Sequence, residues 1–102
     1  MQDKVTLLRE KWLEALESGE YKQCKGMYRA GEYRCALGVL LDVAKIYGFI
    51  TQRQYDEIDT GELEGEVVGS INGVYWVGRH NDKGMEFPKI AANLRNGDYD
   101  VQ

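Results

Sequence analysis

The longest apolar stretch of the chain runs from Tyr33 to Gly48 and predicts a helix that is buried on almost every side. A strand is excluded by length, because buried strands run about four to eight residues. The few non-apolar positions lie four, four and three residues apart, on one narrow stripe of a helix: Arg34, Gly38, Asp42 and Lys45. Because a mid-helix glycine costs about 1 kcal/mol relative to alanine, we expect another element or a ligand to approach the backbone at Gly38.

Three further helices are predicted around this central one. Residues 4–18 place apolar side chains every three or four positions and end before Gly19, so we expect an amphipathic helix with Trp12 as a core anchor. Thr51 to Gln54 has the form of a capping box and starts a short helix that reaches about Ile58. Residues 87–95 form a last helix, and residues 97–102 are predicted to be a frayed tail.

Residues 66–79 carry the pattern of a β-hairpin. Asn72-Gly73 separates two apolar runs and favours a two-residue type I′ turn, which would pair Ile71 with Val74. Residues 80–84 are predicted as a turn, and residues 27–30 as a short strand or an extended loop. The elements together predict a small single domain over residues 1–102. Its class is α+β, with a buried central helix, flanking amphipathic helices and a β-hairpin.

The charge balance excludes one class of function. The chain has a formal net charge of −4, which is concentrated in its second half. A protein that binds duplex DNA normally needs a basic face, so we expect no duplex nucleic acid as a partner. No apolar run reaches the roughly 18 residues of a membrane span, and the start leads directly into a helical pattern, so we expect neither a membrane partner nor a signal peptide. Two cysteines without such a signal indicate reduced thiols in a cytoplasm.

Candidate catalytic and metal-binding groups are sparse. Cys24, Cys35 and His80 do not have the spacing of a zinc site, so no metal and no cofactor is expected. Cys35 and His80 are the residue types of a nucleophilic pair, but Cys35 lies in an apolar helix, where thiols are usually inert. Gly61 to Gly65 lacks the ending of a phosphate loop and is acidic. We therefore expect no catalytic residues, and a binding protein rather than an enzyme.

A mixture of basic and aromatic residues gives the best candidate for a ligand site. Bases and tyrosines are interspersed between residues 20 and 34. Arginine can bond phosphate oxygens in pairs, and tyrosine can stack on a nucleobase. The predicted ligand-binding residues are Lys25, Tyr28, Arg29, Arg34, Tyr75 and Arg79. The alternative is a solvated loop whose tyrosines pack on the first helix.

The acidic run from Asp56 to Glu66 contains six carboxylates and no base. Such a run is most often a solvated surface. It is also a surface through which the chain could bind another protein.

Several motifs are spread over roughly residues 12–94: Trp12-x-x-Ala15-Leu16-x-Ser18-Gly19-x-Tyr21-x-Gln23, Gly26, Cys35-x-Leu37-Gly38-Val39-Leu40 and Asn81-Asp82-x-Gly84-x-x-Phe87-x-x-Ile90-Ala91. Together they resemble those of a widespread group of small tailed-bacteriophage proteins. The chain departs from this group at Ala36, where a second cysteine is common, and at Glu86, where a serine helix cap is common. The group has no agreed active site, so the resemblance assigns no residue a role.

The resemblance implies a non-virion accessory protein in the cytoplasm of an infected bacterium. One class of small phage proteins sequesters nucleotide immune signals, typically as homo-oligomers with basic and aromatic pockets. By analogy, we expect a homo-oligomer that sequesters a phosphate-bearing small molecule, a nucleotide-derived bacterial immune signal. Two alternatives remain open: an inhibitor of a host enzyme or defence complex that acts through the acidic run, and a nucleotide-cleaving enzyme.

Overall fold

The computed structural model describes residues 3–58 and 68–99 of the chain. Five helices and three two-residue strands lie in this part, with a 3-10 turn at Val68–Ser70. The bounds are α1 Lys4–Ser18, β1 Lys22–Gln23, β2 Arg29–Ala30, β3 Tyr33–Arg34, α2 Ala36–Ile46, α3 Gln52–Glu57, α4 Val74–Asp82 and α5 Phe87–Asn96. Helices supply most of the framework and the strands form one small sheet, which confirms the predicted α+β class.

Helix α1 has the bounds that its sequence pattern predicts, because both ends carry capping residues. The side chain of Asp3 accepts a hydrogen bond from Thr6 N at 2.9 Å, and Gly19 takes the left-handed conformation (φ 77°) that ends a helix. Trp12 is fully buried and donates from Nε1 to Ala36 O at 2.9 Å. Its prediction as a core anchor is confirmed.

The central helix, α2, is shorter than predicted at its start. Tyr33 and Arg34 pair in the sheet as β3, and Cys35 becomes the N-cap, with its sulfur accepting from Gly38 N at 3.3 Å. From Ala36 onward the prediction holds, and eight of the eleven helical residues are buried. Most of the helix surface is therefore covered by the rest of the chain.

At Gly38 the backbone of another segment lies close against α2. A Cβ atom placed on this glycine would collide with the carbonyl oxygen of Tyr28. The expected close approach is therefore confirmed, and the approaching group is the backbone that precedes β2.

The sheet has the strand order β1-β3-β2. Strands β1 and β3 are parallel, with Gln23 opposite Arg34, whereas β2 and β3 are antiparallel, with Ala30 opposite Tyr33. A hairpin therefore exists, but it lies at residues 29–34 and uses the segment that was predicted as a short strand or an extended loop.

The hairpin predicted over residues 66–79 is wrong in its described part, because Val74–Asp82 forms helix α4. Gly73 takes a positive φ of 88°, as a type I′ turn would require, but it serves as the N-cap of this helix. The predicted turn at residues 80–84 likewise begins only at Lys83. Ile71 and Val74 are both buried, but not as a cross-strand pair.

The remaining predictions of secondary structure hold more closely. Thr51 and Gln54 form the predicted capping box of α3, and α5 extends the predicted last helix by one residue. In the predicted tail, Tyr99 is half-buried and lies 6.2 Å from Trp76 between ring centroids. The acidic run is described only as far as Ile58, and its remaining residues lie outside the described part of the chain.

The core lies between α2 and the helices that surround it. Helix α1 packs against both α2 and α5, and α2 also contacts α4 and α3. This arrangement brings the loop between β1 and β2, the start of α2 and one face of α4 together. Within residues 3–58 and 68–99, no helix is long and apolar enough to cross a membrane.

Candidate functional site

A cavity of about 110 Å³ lies between the loop that joins β1 to β2, the start of α2 and α4. We call it the loop cavity. It is lined by Gly26, Met27, Tyr28, Cys35, Leu37, Gly78 and Asp82. Its wall is mostly apolar, and Gly26, Met27 and Asp82 are exposed, so the cavity opens to solvent. An open apolar slot with one carboxylate at its rim can hold a flat ring and accept a hydrogen bond from it.

Asn81, which is fully buried in α4, holds the three walls of the loop cavity together. Its Oδ1 accepts from Gln23 Nε2 at 2.8 Å and from Ala36 N at 3.0 Å. Its Nδ2 donates to Cys24 O at 2.8 Å. One side chain therefore joins α4 to β1, to the residue after β1 and to the first residue of α2, so their relative positions are fixed.

The loop is attached to α4 a second time, at the rim. Gly26 N donates to Asp82 Oδ1 at 2.8 Å, and Gly26 takes a φ of 77° that favours glycine. Asn81, Asp82 and Gly26 all belong to the motifs quoted above. In this structure, Gly26 and Asp82 line the loop cavity, and Asn81 holds its walls together.

Four of the six predicted ligand residues lie at or beside the loop cavity. Tyr28 lines it and is buried, whereas Tyr75 is 54% exposed. Arg79, also exposed, lies one helical turn after Tyr75 and three residues before Asp82, which places all three on one face of α4. Lys25 directly precedes Gly26, and its Nζ lies beside Gly84.

Arg29 lies apart from the loop cavity and holds α3 against β2. Its Nη2 donates to Tyr55 O at 2.9 Å and to Ile58 O at 3.0 Å, and its guanidinium lies 4.2 Å from the centroid of the Tyr55 ring. Within the described residues, its buried Nη1 has no hydrogen-bond partner. Nη1 of Arg29 could therefore donate a further hydrogen bond, but it is buried and does not face solvent.

Arg34 is occupied by an ion pair. Its Nε lies 3.0 Å from Asp42 Oδ2, in a site that is mostly buried, and its Nη1 donates to two backbone carbonyls. Asp42 Oδ1 also accepts a hydrogen bond from Tyr55. Burial lowers the pKa of Arg34, but Asp42 and Tyr55 together outweigh that effect and raise its pKa above the usual value. Arg34 therefore stays charged as part of the framework.

Burial also sets the protonation of the groups in the cavity wall. It raises the pKa of Tyr28, to which nearby Cys35 and Tyr75 contribute, and it raises the pKa of Cys35. The pKa of Cys24 is raised by burial and lowered by Arg34, and the net shift is upward. At neutral pH the loop cavity is therefore lined by a phenol and a thiol in their neutral forms, with Asp82 at the rim.

Of the seven lining residues, only Tyr28 belongs to the predicted site, and the other six, Gly78 and Asp82 among them, are absent from it. Asp82 could have been found, because it belongs to the motif Asn81-Asp82-x-Gly84. Gly78 could not, since it lay in a predicted strand and is placed at the cavity only by the helical form of residues 74–82.

No group of three or more metal-ligating side chains lies close together among the residues that the structure describes. His80 Nδ1 is 2.9 Å from Trp76 O, and its ring stacks on Trp76 with centroids 4.1 Å apart. Both contacts are with Trp76 of the same helix, so His80 has a structural role in the packing of α4.

The fold and the cavity define a small, mainly helical α+β domain with a mostly apolar slot. Residues 1–57 match the model of a family described as a domain of unknown function, DUF8296. Because this match covers more than half of the 102 residues, the chain belongs to that family. Comparisons with curated proteins and with solved structures give no match.

Proposed function

We propose that the protein binds and sequesters a phosphate-bearing small molecule, a nucleotide-derived bacterial immune signal, and does not convert it. It would act as a bacteriophage accessory protein in the host cytoplasm, as the resemblance of its motifs to small phage proteins suggests. The observation that carries the proposal is the loop cavity with exposed cations beside it.

The size and lining of the loop cavity suit part of such a ligand. Its volume of about 110 Å³ is below the roughly 150 Å³ of an apolar cavity that accommodates benzene, so the open slot would enclose only part of one flat ring. Met27 and Leu37 offer apolar contacts to a ring, and the Asp82 carboxylate can accept a hydrogen bond from an N–H or a ribose hydroxyl. The sugar and phosphates would remain outside the slot.

The charges at the rim favour phosphate outside the slot. Lys25 and Arg79 are both exposed, and no ion pair involves either of them within the described residues. Tyr75 lies one turn before Arg79 and can stack on a second base. Arg34, by contrast, is neutralised by Asp42, which leaves Lys25 and Arg79 as the main phosphate ligands in this proposal.

The proposal includes a homo-oligomer, most simply a dimer. The edges of the hairpin predicted at residues 66–79 no longer support it, because residues 74–82 are helical. Support for a dimer comes instead from an exposed apolar surface at the end of α2, which a second copy could cover. There Ile46 is 64% exposed and Tyr47, the next residue, is 54% exposed.

A binding assay with a matched charge reversal tests the proposal. The protein is screened by thermal shift and calorimetry against ADP-ribose and a set of cyclic dinucleotides. A ligand at a hundredfold excess over its dissociation constant stabilises the native state by roughly 2.7 kcal/mol. In Arg79→Glu we expect an affinity loss of at least about tenfold, equal to about 1.4 kcal/mol. Arg53→Glu is the control, because Arg53 is 88% exposed on α3, away from the loop cavity.

The fate of the ligand separates the proposal from its rivals. A nucleotide recovered intact after denaturation of the complex supports sequestration. An altered nucleotide would move the protein to the enzyme class. If none of the probes stabilises the protein, the proposal fails, and the alternative of an inhibitor that binds a host enzyme or defence complex is favoured.

A further inference from the structure

The two cysteines of the chain face each other across the parallel pair of strands. Gln23 is opposite Arg34, so the next register pair is Cys24 and Cys35. Cys24 N donates to Arg34 O at 2.9 Å, which is the hydrogen bond that continues a parallel ladder to this pair. The hydrogen bond that would come next in the ladder, from Ala36 N to Cys24 O, is replaced by the side chain of Asn81, so the two cysteines lie where the segments begin to separate. Paired strands lie about 4.8 Å apart, and a disulfide accepts roughly 4.4–6.8 Å between Cα atoms, which leaves room for this separation.

The sulfur atoms have weak partners that a disulfide can replace. Cys24 Sγ donates to Met27 O at 3.5 Å, and Cys35 Sγ accepts from Gly38 N at 3.3 Å. Both thiols are free; Cys24 is partly exposed and Cys35 is buried. Each sulfur therefore has only a weak partner to give up, and because Cys24 is the more exposed of the two, an oxidant reaches Cys24 first.

We propose that Cys24 and Cys35 form a reversible disulfide that locks the wall of the loop cavity. The oxidant is a low-molecular-weight disulfide such as oxidised glutathione. The Cys24 thiolate attacks one glutathione sulfur, which breaks the glutathione S–S bond and releases one glutathione thiolate. The Cys35 thiolate then attacks the Cys24 sulfur of the mixed disulfide and releases the second. The two cysteines lose two electrons and two protons, and the two glutathione molecules gain them.

The cross-link would act directly on the loop cavity. It closes a ring through residues 25–34, which contains Gly26, Met27 and Tyr28 of the cavity lining. In the reduced protein, the loop is tied by hydrogen bonds from Gly26 to Asp82 and from Asn81 to Cys24. A disulfide between the two ends of this loop would further restrict the backbone motion of the cavity wall that the loop forms. An effect on ligand affinity rests on the proposed function, whereas the disulfide and the rigid wall do not.

Thiol titration by mass spectrometry tests the disulfide. The full chain is equilibrated with oxidised and reduced glutathione at about pH 8, because burial keeps both thiols protonated near neutrality. After acid quenching, free thiols are alkylated with N-ethylmaleimide in denaturant. We expect a species that has lost two hydrogen atoms, carries no alkyl group and returns to the dithiol with dithiothreitol.

A comparison with the unfolded chain shows whether the fold favours the bond. The equilibrium constant for oxidation should be at least about tenfold larger in the native protein than in concentrated guanidinium chloride, because a bond that fits the fold stabilises it by the same factor. An equal or smaller constant overturns the proposal. So does accumulation of a glutathione adduct on Cys24 without closure to Cys35.

Single variants and hydrogen exchange complete the test. Cys35→Ser, which keeps an oxygen that can accept from Gly38 N, should stop at the Cys24 adduct, and Cys24→Ser should leave Cys35 unmodified. Amide exchange in residues 25–34 should slow at least about threefold on oxidation. Unchanged exchange there would refute the lock. If the disulfide forms but ADP-ribose and the cyclic dinucleotides do not bind, only the proposed function fails.

Discussion

Gly38 and Gly78 both lie inside helices, but their neighbours differ in how far they can move. A Cβ on Gly38 would overlap the carbonyl oxygen of Tyr28, which also accepts a hydrogen bond from Cys35 N at 3.1 Å. A Cβ on Gly78 would lie 3.1 Å from Leu37 Cδ1, the end of a flexible side chain. The first glycine is thus required by the backbone, and the second only by a side chain that can shift.

We therefore expect Gly38→Ala to lower the free energy of unfolding by about 3 kcal/mol, the upper end of the usual cost of overpacking. Gly78→Ala should change it by less than about 1 kcal/mol, because the gain in helix propensity offsets the tight contact. Urea unfolding followed by circular dichroism measures both. Equal stabilities for the two variants would contradict this account of Gly38.

At the scale of single residues, the sequence predicts more of the framework than of the site. The stripe of Arg34, Gly38 and Asp42 is correct, since Arg34 pairs with Asp42 although it precedes the helix. That pairing also shows that the charge of an arginine does not by itself identify a ligand residue. An arginine near tyrosines has the same sequence pattern whether it meets a phosphate or a carboxylate of its own chain.

At the scale of elements, capping residues gave reliable helix bounds, whereas β-branched and aromatic residues led to a wrong strand prediction. Helices α1, α3 and α5 are close to their predicted bounds because cap residues or a helical apolar pattern mark them. Helix α4 has β-branched and aromatic residues at its start, and Asn72-Gly73 before it, which together favour a hairpin. Its buried residues are Val74, Trp76, Val77 and Asn81. Three of them, Val74, Val77 and Asn81, have helical spacing, but the polar side chain of Asn81 interrupts the apolar pattern that would have shown it.

Arg95 of α5 forms a bidentate ion pair with Glu17 of α1 at the surface. Arg95 Nε and Nη2 donate to the two oxygens of Glu17 at 2.8 and 2.7 Å. The hydrogen bonds from Arg95 hold the pKa of Glu17 below its usual value. A lowered pKa contributes stability above the unfolded pKa of about 4.3 and loses it as the pH falls through the folded value.

Arg95→Gln should therefore lower the free energy of unfolding by about 0.5 to 1 kcal/mol at neutral pH and low salt, as expected for a well-formed surface pair. The difference from wild type should shrink towards zero in acid. Urea unfolding at neutral pH and well below pH 4 measures this difference. Arg53→Gln serves as the control, because its pair with Glu57 lies within the single helix α3 and is more exposed. A difference that stays constant with pH would argue against the ion pair.

At the scale of the whole molecule, the family match covers residues 1–57, which end with α3, yet the core is shared with the rest of the chain. Helix α1 packs against α5, and α2 packs against α4. Arg9 Nη2 also donates to Leu94 O at 2.6 Å. The segment that matches the family thus depends on the helices that follow it.

Residues 1–57 alone should therefore fail to fold. Without α4, the amide of Ala36 and the carbonyl of Cys24 lose Asn81 as their partner, and each hydrogen bond lost to water costs about 0.5 to 1.5 kcal/mol. Without α4 and α5, apolar faces of α1 and α2 are exposed as well. These losses are comparable with the whole stability of a small domain, about 5 to 15 kcal/mol. We expect weak helical circular dichroism and no cooperative unfolding, and partial recovery when a peptide of residues 68–102 is added. A truncated chain that unfolds cooperatively near the midpoint of the full chain would show instead that the family segment is a domain by itself.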